Sequence, residues 1–223
     1  SVNFSFKAYA SLIIRLYRVI FSMRKALLIA IFLFVLVLQA CGQKLPIETN
    51  MNEKVADFSF TTQDNELLQL DDLKGQWWIA DFIFTNCTSV CLPMTANMSY
   101  LQDRLNEEGL PIQLVSFSVD PDFDSPEVLK AYGEQYDADF TNWSFLTGYE
   151  FQTIKELSIK SFRAYLKEPE PGSDQFTHDT RFFLVDPKGK IVKGYNGVQR
   201  ENIDLLIDDL LTLQNEKLIE NQS

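Results

Sequence analysis

The sequence feature that most constrains the fold is a nearly continuous apolar run at residues 77–84, followed closely by Cys87 and Cys91. Such a run is typical of a central strand that is buried on both faces. After the cysteines, residues 93–108 carry apolar side chains at helical spacing, and Gly109 follows them. The run therefore predicts a buried strand that leads through two cysteines into a helix.

Strand and helix patterns alternate through the rest of the domain. Strands are predicted at residues 58–61, 67–70, 112–119, 143–146, 181–185 and 191–195, and helices at 150–161, at 200–213 and from Ser125. Alternation of this kind predicts an α/β fold with a largely parallel central sheet flanked by helices. The turn at residues 186–189 predicts an antiparallel hairpin near the C-terminus, before the last helix. One domain at residues 56–217 accounts for the pattern.

The charge of the chain limits its partners. The formal net charge is −11, and the sequence pI is about 4.6. An acidic surface repels phosphate backbones, so we expect no nucleic-acid partner. The composition favours cationic partners or metal ions.

The N-terminal part of the chain has the pattern of a targeting segment. A basic head at residues 23–25, an apolar run at 26–38 and Ala40 before Cys41 are typical of a secretory signal. Residues 38–41 resemble a bacterial lipobox, although Gln39 replaces the small residue usual there. We therefore expect a lipoprotein signal peptide at 23–40 and lipidation of Cys41. An uncleaved membrane anchor and a free or disulfide-bonded Cys41 are the alternatives.

The other N-terminal boundaries follow from this interpretation. Residues 1–22 precede a plausible start at Met23, and we predict that they are an upstream extension outside the fold. Residues 41–55 are polar and without periodicity, as expected of a linker between the lipid and the domain. The domain is thus predicted to be anchored to the cell membrane on its extracytoplasmic side.

The two cysteines after the buried strand lie where α/β folds collect their functional sites, at the carboxyl end of a strand. A helix N-terminus favours the thiolate form, which is both a nucleophile and a metal ligand. At i and i+4, both sulfur atoms of Cys87 and Cys91 face the same way and can share a metal ion or form a disulfide. A static structural disulfide, buried inert thiols and a structural zinc site are the alternatives, and the last requires four ligands.

His178 is the only histidine of the chain, in a segment predicted as a loop that enters the next strand. An ordinary surface or core histidine is the usual interpretation of such a residue. Two sulfur atoms and one imidazole, however, form a ligand set that suits copper. Asp81 and Asp120 are weaker candidates for carboxylates that orient a ligand. Asp120 is equally well explained by a turn with Pro121, and residues 120–124 lack the glycine and glutamate of a calcium loop.

At this point the sequence resembles the Sco/SenC family. The resemblance covers nearly all of the domain, and it is carried in order by residues 82–94, 118–121, 124–127, 177–179 and 183–189. Members commonly have proline directly after the second cysteine, whereas here Leu92 intervenes before Pro93. The resemblance implies a thioredoxin-like fold and a site in which Cys87, Cys91 and His178 bind Cu(I) or Cu(II).

The resemblance also implies a function, as a protein that assists assembly of the dinuclear copper site of cytochrome c oxidase. Its partner would be the copper-site subunit, to which it would donate copper or whose cysteines it would reduce. Two other functions remain open on such a scaffold: a thiol-disulfide oxidoreductase that uses Cys87 and Cys91, and a peroxiredoxin-like peroxidase. Residues around Cys87 lack the usual peroxiredoxin pattern.

Overall fold

The computed structural model describes residues 23–25, 44–87 and 91–219, except for the side chain of Cys91. The chain divides into two compact units, 1–44 and 45–223. In the first unit, residues 23–25 are helical. The rest of the predicted signal peptide, Cys41 and the upstream extension lie outside the described residues. Within the described ranges, no helix is both long and apolar enough to cross a bilayer.

The second unit is built on a mixed seven-stranded sheet. Strands β3, β4 and β5 are parallel neighbours at its centre, and the others pair antiparallel. The order across the sheet is β2-β1-β5-β4-β3-β8-β9. The strands are β1 (Ser59–Thr62), β2 (Leu67–Gln69), β3 (Trp78–Ile83), β4 (Gln113–Ser118), β5 (Trp143–Thr147), β8 (Arg181–Val185) and β9 (Ile191–Asn196), and a separate pair is formed by β6 (Leu166–Lys167) and β7 (Thr177–His178).

Four α-helices flank the sheet, together with a 3-10 helix at Leu70–Leu73. The helix after the cysteines begins at Cys91, two residues before the predicted start. Pro93 is therefore the third helical residue, where its missing N–H removes no hydrogen bond within the helix. Ser125 caps a later helix by accepting a hydrogen bond from the N–H of Val128. The helices are α1 (Cys91–Glu107), α2 (Pro126–Glu134), α3 (Phe151–Phe162) and α4 (Arg200–Asn215).

The core lies on both faces of the sheet, and β3 contributes to each face. Ile79 and Ile83 belong to one apolar cluster, which α1 and α4 cover. Trp78, Ala80 and Phe82 point the other way, into a cluster that α3 covers. All six residues of β3 are buried, which confirms the prediction of a central strand. This burial fixes the end of β3 and the position from which the cysteine loop starts.

The α/β fold with a thioredoxin-like sheet is confirmed, but the sheet is more mixed than the sequence predicted. Antiparallel pairing is not limited to the C-terminal hairpin: β1 pairs with both β2 and β5, and β3 pairs with β8. The β3–β8 pairing has a consequence for the site. It places the segment that precedes β8, which contains His178, beside the loop that follows β3.

Candidate metal centre

The cysteine loop leaves the carboxyl end of β3. Cys87 is buried and belongs to the same apolar cluster as Phe84, the residue that follows β3. Cys91 is the first residue of α1, and its side chain lies outside the described set. The predicted placement between a buried strand and a helix is therefore confirmed for the backbone of Cys87, whereas Cys91 lies within the first turn of the helix.

A buried carboxylate holds this loop. Asp124, which follows β4, accepts hydrogen bonds from the N–H of Thr85 at 3.3 Å and from its hydroxyl at 2.5 Å. The hydroxyl of Ser118 donates to the same carboxylate at 2.5 Å. Burial raises the pKa of Asp124 to about 6, although the bonds from Ser118 and Thr85 act in the opposite direction. Thr85 lies two residues before Cys87, so Asp124 positions the backbone that carries this cysteine.

Sequence reasoning did not single out Asp124. It treated residues 120–124 as one acidic stretch and rejected it as a calcium loop. In the structure Asp124 is fully buried while Asp122 is exposed. The local signal for the difference is the position of Asp124 directly before the Ser125 cap of α2, which directs the chain back into the protein.

His178 lies in a short strand, which corrects the prediction of a loop. Strand β7 pairs antiparallel with β6, with His178 opposite Leu166. The imidazole is buried, and its Nδ1 lies 2.8 Å from the carbonyl oxygen of Asp179. Because a carbonyl oxygen only accepts hydrogen bonds, Nδ1 is the protonated nitrogen. In the neutral imidazole the lone pair is then on Nε2, the atom through which it would bind a metal ion.

Aromatic and polar contacts join the histidine segment to the cysteine loop. The ring of Phe84 lies edge-on to the imidazole of His178, with centroids 5.8 Å apart, and 5.7 Å from the ring of Phe176. The amide of Asn86 donates to Asp174 at 2.8 Å, and Gln175 donates to the carbonyl oxygen of Asn86 at 3.0 Å. Residues 84–87 and 174–178 are therefore neighbours, as expected if Cys87 and His178 serve one site.

The backbone that presents His178 is fixed by the next turn. Asp179 accepts hydrogen bonds from the backbone N–H and the guanidinium of Arg181, at 2.6–2.9 Å. The same guanidinium donates to the carbonyl oxygen of Arg163 and lies over the ring of Phe183. With these bonds the carbonyl oxygen of Asp179 is held where it orients the imidazole.

Asp81 is wholly buried on the sheet face that α1 covers, in register with Ser116 of β4. Burial raises the pKa of Asp81 to about 7, while the Ser116 hydroxyl and the charge of His178 act to lower it. The Ser116 hydroxyl is near enough for this effect, but neither carboxylate oxygen has a partner in hydrogen-bond geometry among the described residues. Asp81 thus does not orient His178 through a direct hydrogen bond, and its influence on the site is electrostatic.

Asp120 lies at the end of β4, at the rim of the site. Its N–H donates to the Ser118 hydroxyl at 3.1 Å. Burial raises the pKa of Asp120, and the charges of Asp122 and Asp174 raise it further. Its carbonyl oxygen accepts from the N–H groups of Phe123 and Asp124, which is the turn foreseen as the alternative to a role at the ligands.

Among the described side chains, no group of three His, Cys, Asp or Glu residues could hold a metal ion. The side chain of Cys91 is not among those described. A three-ligand site made of Cys87, Cys91 and His178 therefore stays a prediction. What the structure places together is the loop of Cys87 and the imidazole of His178 with its oriented tautomer.

Comparison with known proteins identifies the family. A model of the SCO1/SenC family matches residues 47–214, which include both cysteines and the histidine. The chain belongs to the SCO1/SenC family. It is 47% identical over 180 residues to the SCO1 protein homolog of Bacillus subtilis (strain 168), covering 81% of this chain and 91% of that protein. The resemblance noted from the cysteine and histidine segments is thus confirmed.

Solved structures of Sco proteins match the fold of this family member. A SCO1/SenC family lipoprotein from Bacillus anthracis is 44% identical, with a TM-score of 0.70, over 73% of this chain and 96% of its own. BsSco is described as a cytochrome c oxidase assembly protein with a disulfide switch. It is 44% identical, with a TM-score of 0.69, over 76% of this chain and 98% of its own. Bradyrhizobium japonicum ScoI, solved with copper bound, is 25% identical, with a TM-score of 0.59, over 69% of this chain and 97% of its own.

Proposed function

We propose that this chain is an extracytoplasmic copper-binding protein that assists assembly of the dinuclear copper site of cytochrome c oxidase. Copper would be held by Cys87, Cys91 and His178. The observation that carries the proposal is the adjacency of the Cys87 loop to His178, joined through the ring of Phe84. Membership of the SCO1/SenC family, in which a relative is solved with copper bound, supports the same conclusion.

The residues present fit copper as the cargo. Cys87 is buried beside Phe84, and the Nδ1 hydrogen bond of His178 leaves Nε2 as the donor atom. Thiolate and imidazole are the ligands that copper prefers among protein side chains. Asp179 orients the imidazole through its backbone oxygen, a device that is common around metal-bound histidines.

The chain would act as a metallochaperone and not primarily as an enzyme. In that role it delivers copper to the copper-site subunit of the oxidase. A second function, thiol-disulfide exchange by Cys87 and Cys91, is favoured by the disulfide switch described for the 44% identical BsSco. In that case the two thiols of the pair reduce a disulfide of the partner subunit to two thiols and are themselves oxidised to a disulfide. No observation favours the peroxidase alternative.

Lipidation of Cys41 would keep the domain at the membrane that contains the oxidase. Support comes from the lipobox-like residues 38–41 and from the description of the Bacillus anthracis relative as a lipoprotein. The predicted linker at 41–55 is largely part of the domain, because Ile47 and Val55 are buried in the core and residues 50–55 form backbone hydrogen bonds with residues 189–192.

The decisive experiment is titration of the reduced fragment 43–223 with Cu(II), followed by optical and paramagnetic resonance spectra. We expect an intense thiolate-to-copper charge-transfer band that is complete at one equivalent. His178→Ala should abolish it, whereas Thr177→Ala, an exposed neighbour on β7, should retain it. The fragment should carry no histidine tag, because a tag would itself bind copper. Simple oxidation of the thiols, with no stable copper complex, would contradict the copper site and favour the oxidoreductase function instead.

A further inference from the structure

A pocket lies far from the candidate metal centre, at the opposite end of β3. Its lining residues include Trp78, the first residue of β3, and Lys188, in the turn between β8 and β9. The pocket encloses about 350 Å³, including its open mouth. Since a strand rises about 3.3 Å per residue, Trp78 lies roughly 16 Å from the end of β3 where the cysteine loop starts. The two sites are therefore on opposite sides of the domain.

Backbone hydrogen bonds hold the walls of this pocket in place. The N–H of Val55 donates to the carbonyl oxygen of Gly189 at 2.9 Å, and the N–H of Gly75 donates to Pro187 at 2.9 Å. These bonds join the chain segment before β1 and the turn before β3 to the β8–β9 hairpin. The pocket is thus formed by three segments whose backbones are fixed, and it does not depend on an adjustable loop.

The pocket is positively charged in an otherwise acidic protein. Three lysines line it, Lys54, Lys74 and Lys188, against one carboxylate, that of Asp57. Lys74 is paired with Asp71, but Lys54 and Lys188 form no ion pair with any described residue. Because both lysines lie beside one pocket of a chain with a net charge of −11, their combined charge makes this pocket a place where an anion would be attracted.

A second observation in the same pocket also points to a ligand. The indole of Trp78 is fully buried, and its Nε1 has no hydrogen-bond acceptor among the described residues. The other two indoles are satisfied, with Trp77 donating to Leu218 at 2.8 Å and Trp143 donating to Ser116 at 2.9 Å. Buried donors without an acceptor are uncommon in folded proteins. Trp78 lines the pocket, so a bound anion would lie beside the indole that carries this unsatisfied donor.

We infer that this pocket binds the phosphate group of an anionic phospholipid headgroup. Lysine ammonium groups are compact charges that suit phosphate oxygens, and basic side chains strengthen binding to anionic bilayers. Lys54 lies only 13 residues after Cys41, so a lipid on Cys41 would keep the pocket within reach of the bilayer. The membrane as the source of the phosphate thus rests on the proposed lipid anchor, whereas the anion site does not.

The consequence is an orientation of the domain at the membrane. The acidic remainder of the surface is repelled by anionic lipid, so the lysine-lined end faces the bilayer. Cys87 and His178, beyond the other end of β3, then face away from the bilayer, toward a partner that projects from the membrane. The headgroup contact would fix the direction in which the copper site is presented.

The first test is sedimentation of fragment 43–223 with vesicles of phosphatidylcholine, alone or mixed with phosphatidylglycerol. The fragment contains the whole compact unit 45–223 with both core clusters. The structural match to BsSco covers 98% of the BsSco chain and 76% of this one. A solved domain of this extent therefore folds without the N-terminal segment. We expect binding to the mixed vesicles only. Lys54→Gln/Lys188→Gln should weaken it about tenfold or more.

The matched control is Lys155→Gln/Lys217→Gln, which changes the net charge equally at two lysines that line neither site and have no ion pair among the described residues. It should bind the mixed vesicles as the unmodified fragment does. An equal loss of binding in both double variants would show that net charge alone is responsible and would overturn the proposal.

The second test uses inorganic phosphate and the indole resonances in ¹H–¹⁵N spectra. Phosphate should shift the Trp78 signal saturably, with Trp77 and Trp143 as internal references, and Lys54→Gln/Lys188→Gln should remove the response. A Trp78 shift without vesicle binding would contradict the binding of a lipid headgroup and would show that the pocket binds soluble phosphate. No response of Trp78 together with no vesicle binding would show that the pocket is not an anion site.

Discussion

Asp124 accepts hydrogen bonds from both the backbone N–H and the hydroxyl of Thr85, across 39 residues of sequence. The two residues join the loop after β4 to the loop after β3, directly before Cys87. Asp124 is fully buried and Thr85 is half-buried, and both donors of Thr85 bond to this one carboxylate. The position of the cysteine loop is therefore determined by a residue that is itself no candidate ligand.

The first prediction concerns Asp124→Ala. The substitution leaves the donors of Thr85 and Ser118 unsatisfied, and we expect a loss of about 2–4 kcal/mol in the free energy of unfolding, measured with urea. Because the Cys87 loop loses its support, copper affinity should fall by roughly 10–100-fold in a chelator competition. Asp122→Ala, in the same loop but exposed, should change neither quantity. Unchanged copper affinity in a folded Asp124→Ala variant would contradict the positioning role.

The second prediction separates the packing of the site from general stability. Phe84→Leu removes the ring that lies between His178 and Phe176, whereas Phe117→Leu alters the same apolar cluster away from the site. Both should lower the free energy of unfolding by about 1–3 kcal/mol, since both rings are buried. Only Phe84→Leu should also weaken copper binding, by several-fold. Equal copper affinities in the two variants would show that the ring has no role in aligning the imidazole.

The strand of residues 77–84 and the helix after it could be predicted because their signals are local. An apolar run and helical spacing need no knowledge of the rest of the chain, and the observed β3 and α1 agree with them to within two residues. The backbone positions of Cys87, after the strand, and of Cys91, at the start of the helix, follow from the same patterns. Local periodicity therefore located the cysteine half of the candidate site.

The remaining parts of the site depend on contacts between distant segments. Pairing of His178 with Leu166, and of Asp124 with Thr85, is set by the packing of loops from different strands. A two-residue strand such as β7 has too few residues to show an alternating pattern. Asp120 and Asp122 have the same side chain as Asp124, so chemistry alone does not identify the fully buried carboxylate, and its place before the Ser125 cap is the only local sign.

The third prediction tests the lipid anchor. In a bacterial host, the full chain should carry a lipid on Cys41, detected by mass spectrometry of the membrane fraction, and Cys41→Ser should carry none. Gln39→Ala provides the control, because it restores a small residue at the position where this chain departs from the lipobox pattern. Gln39→Ala should be lipidated at least as completely as the unmodified chain. Lipid still attached to Cys41→Ser would rule out lipidation at this cysteine.

The fourth prediction follows from the burial of Asp81, whose pKa rises from 3.8 to about 7 on folding. Below about pH 4 the carboxyl is neutral in both states. Between about pH 4 and 7 the unfolded chain releases this proton first, so the free energy of unfolding falls as the pH rises. Above about pH 7 the carboxyl is ionised in both states, and the free energy of unfolding falls no further through this group. The shift corresponds to roughly 4 kcal/mol.

Asp81→Asn removes this titration. The free energy of unfolding of the variant should therefore equal that of the unmodified domain near pH 4 and exceed it by roughly 4 kcal/mol near pH 8. Urea unfolding of fragment 43–223 across this range measures the difference. Asp103→Asn, an exposed residue of α1, is the control for loss of one negative charge and should show no such growth with pH. A constant difference between Asp81→Asn and the unmodified domain would mean that Asp81 is already ionised throughout, and hence that it has a charged or hydrogen-bonded partner in the folded protein.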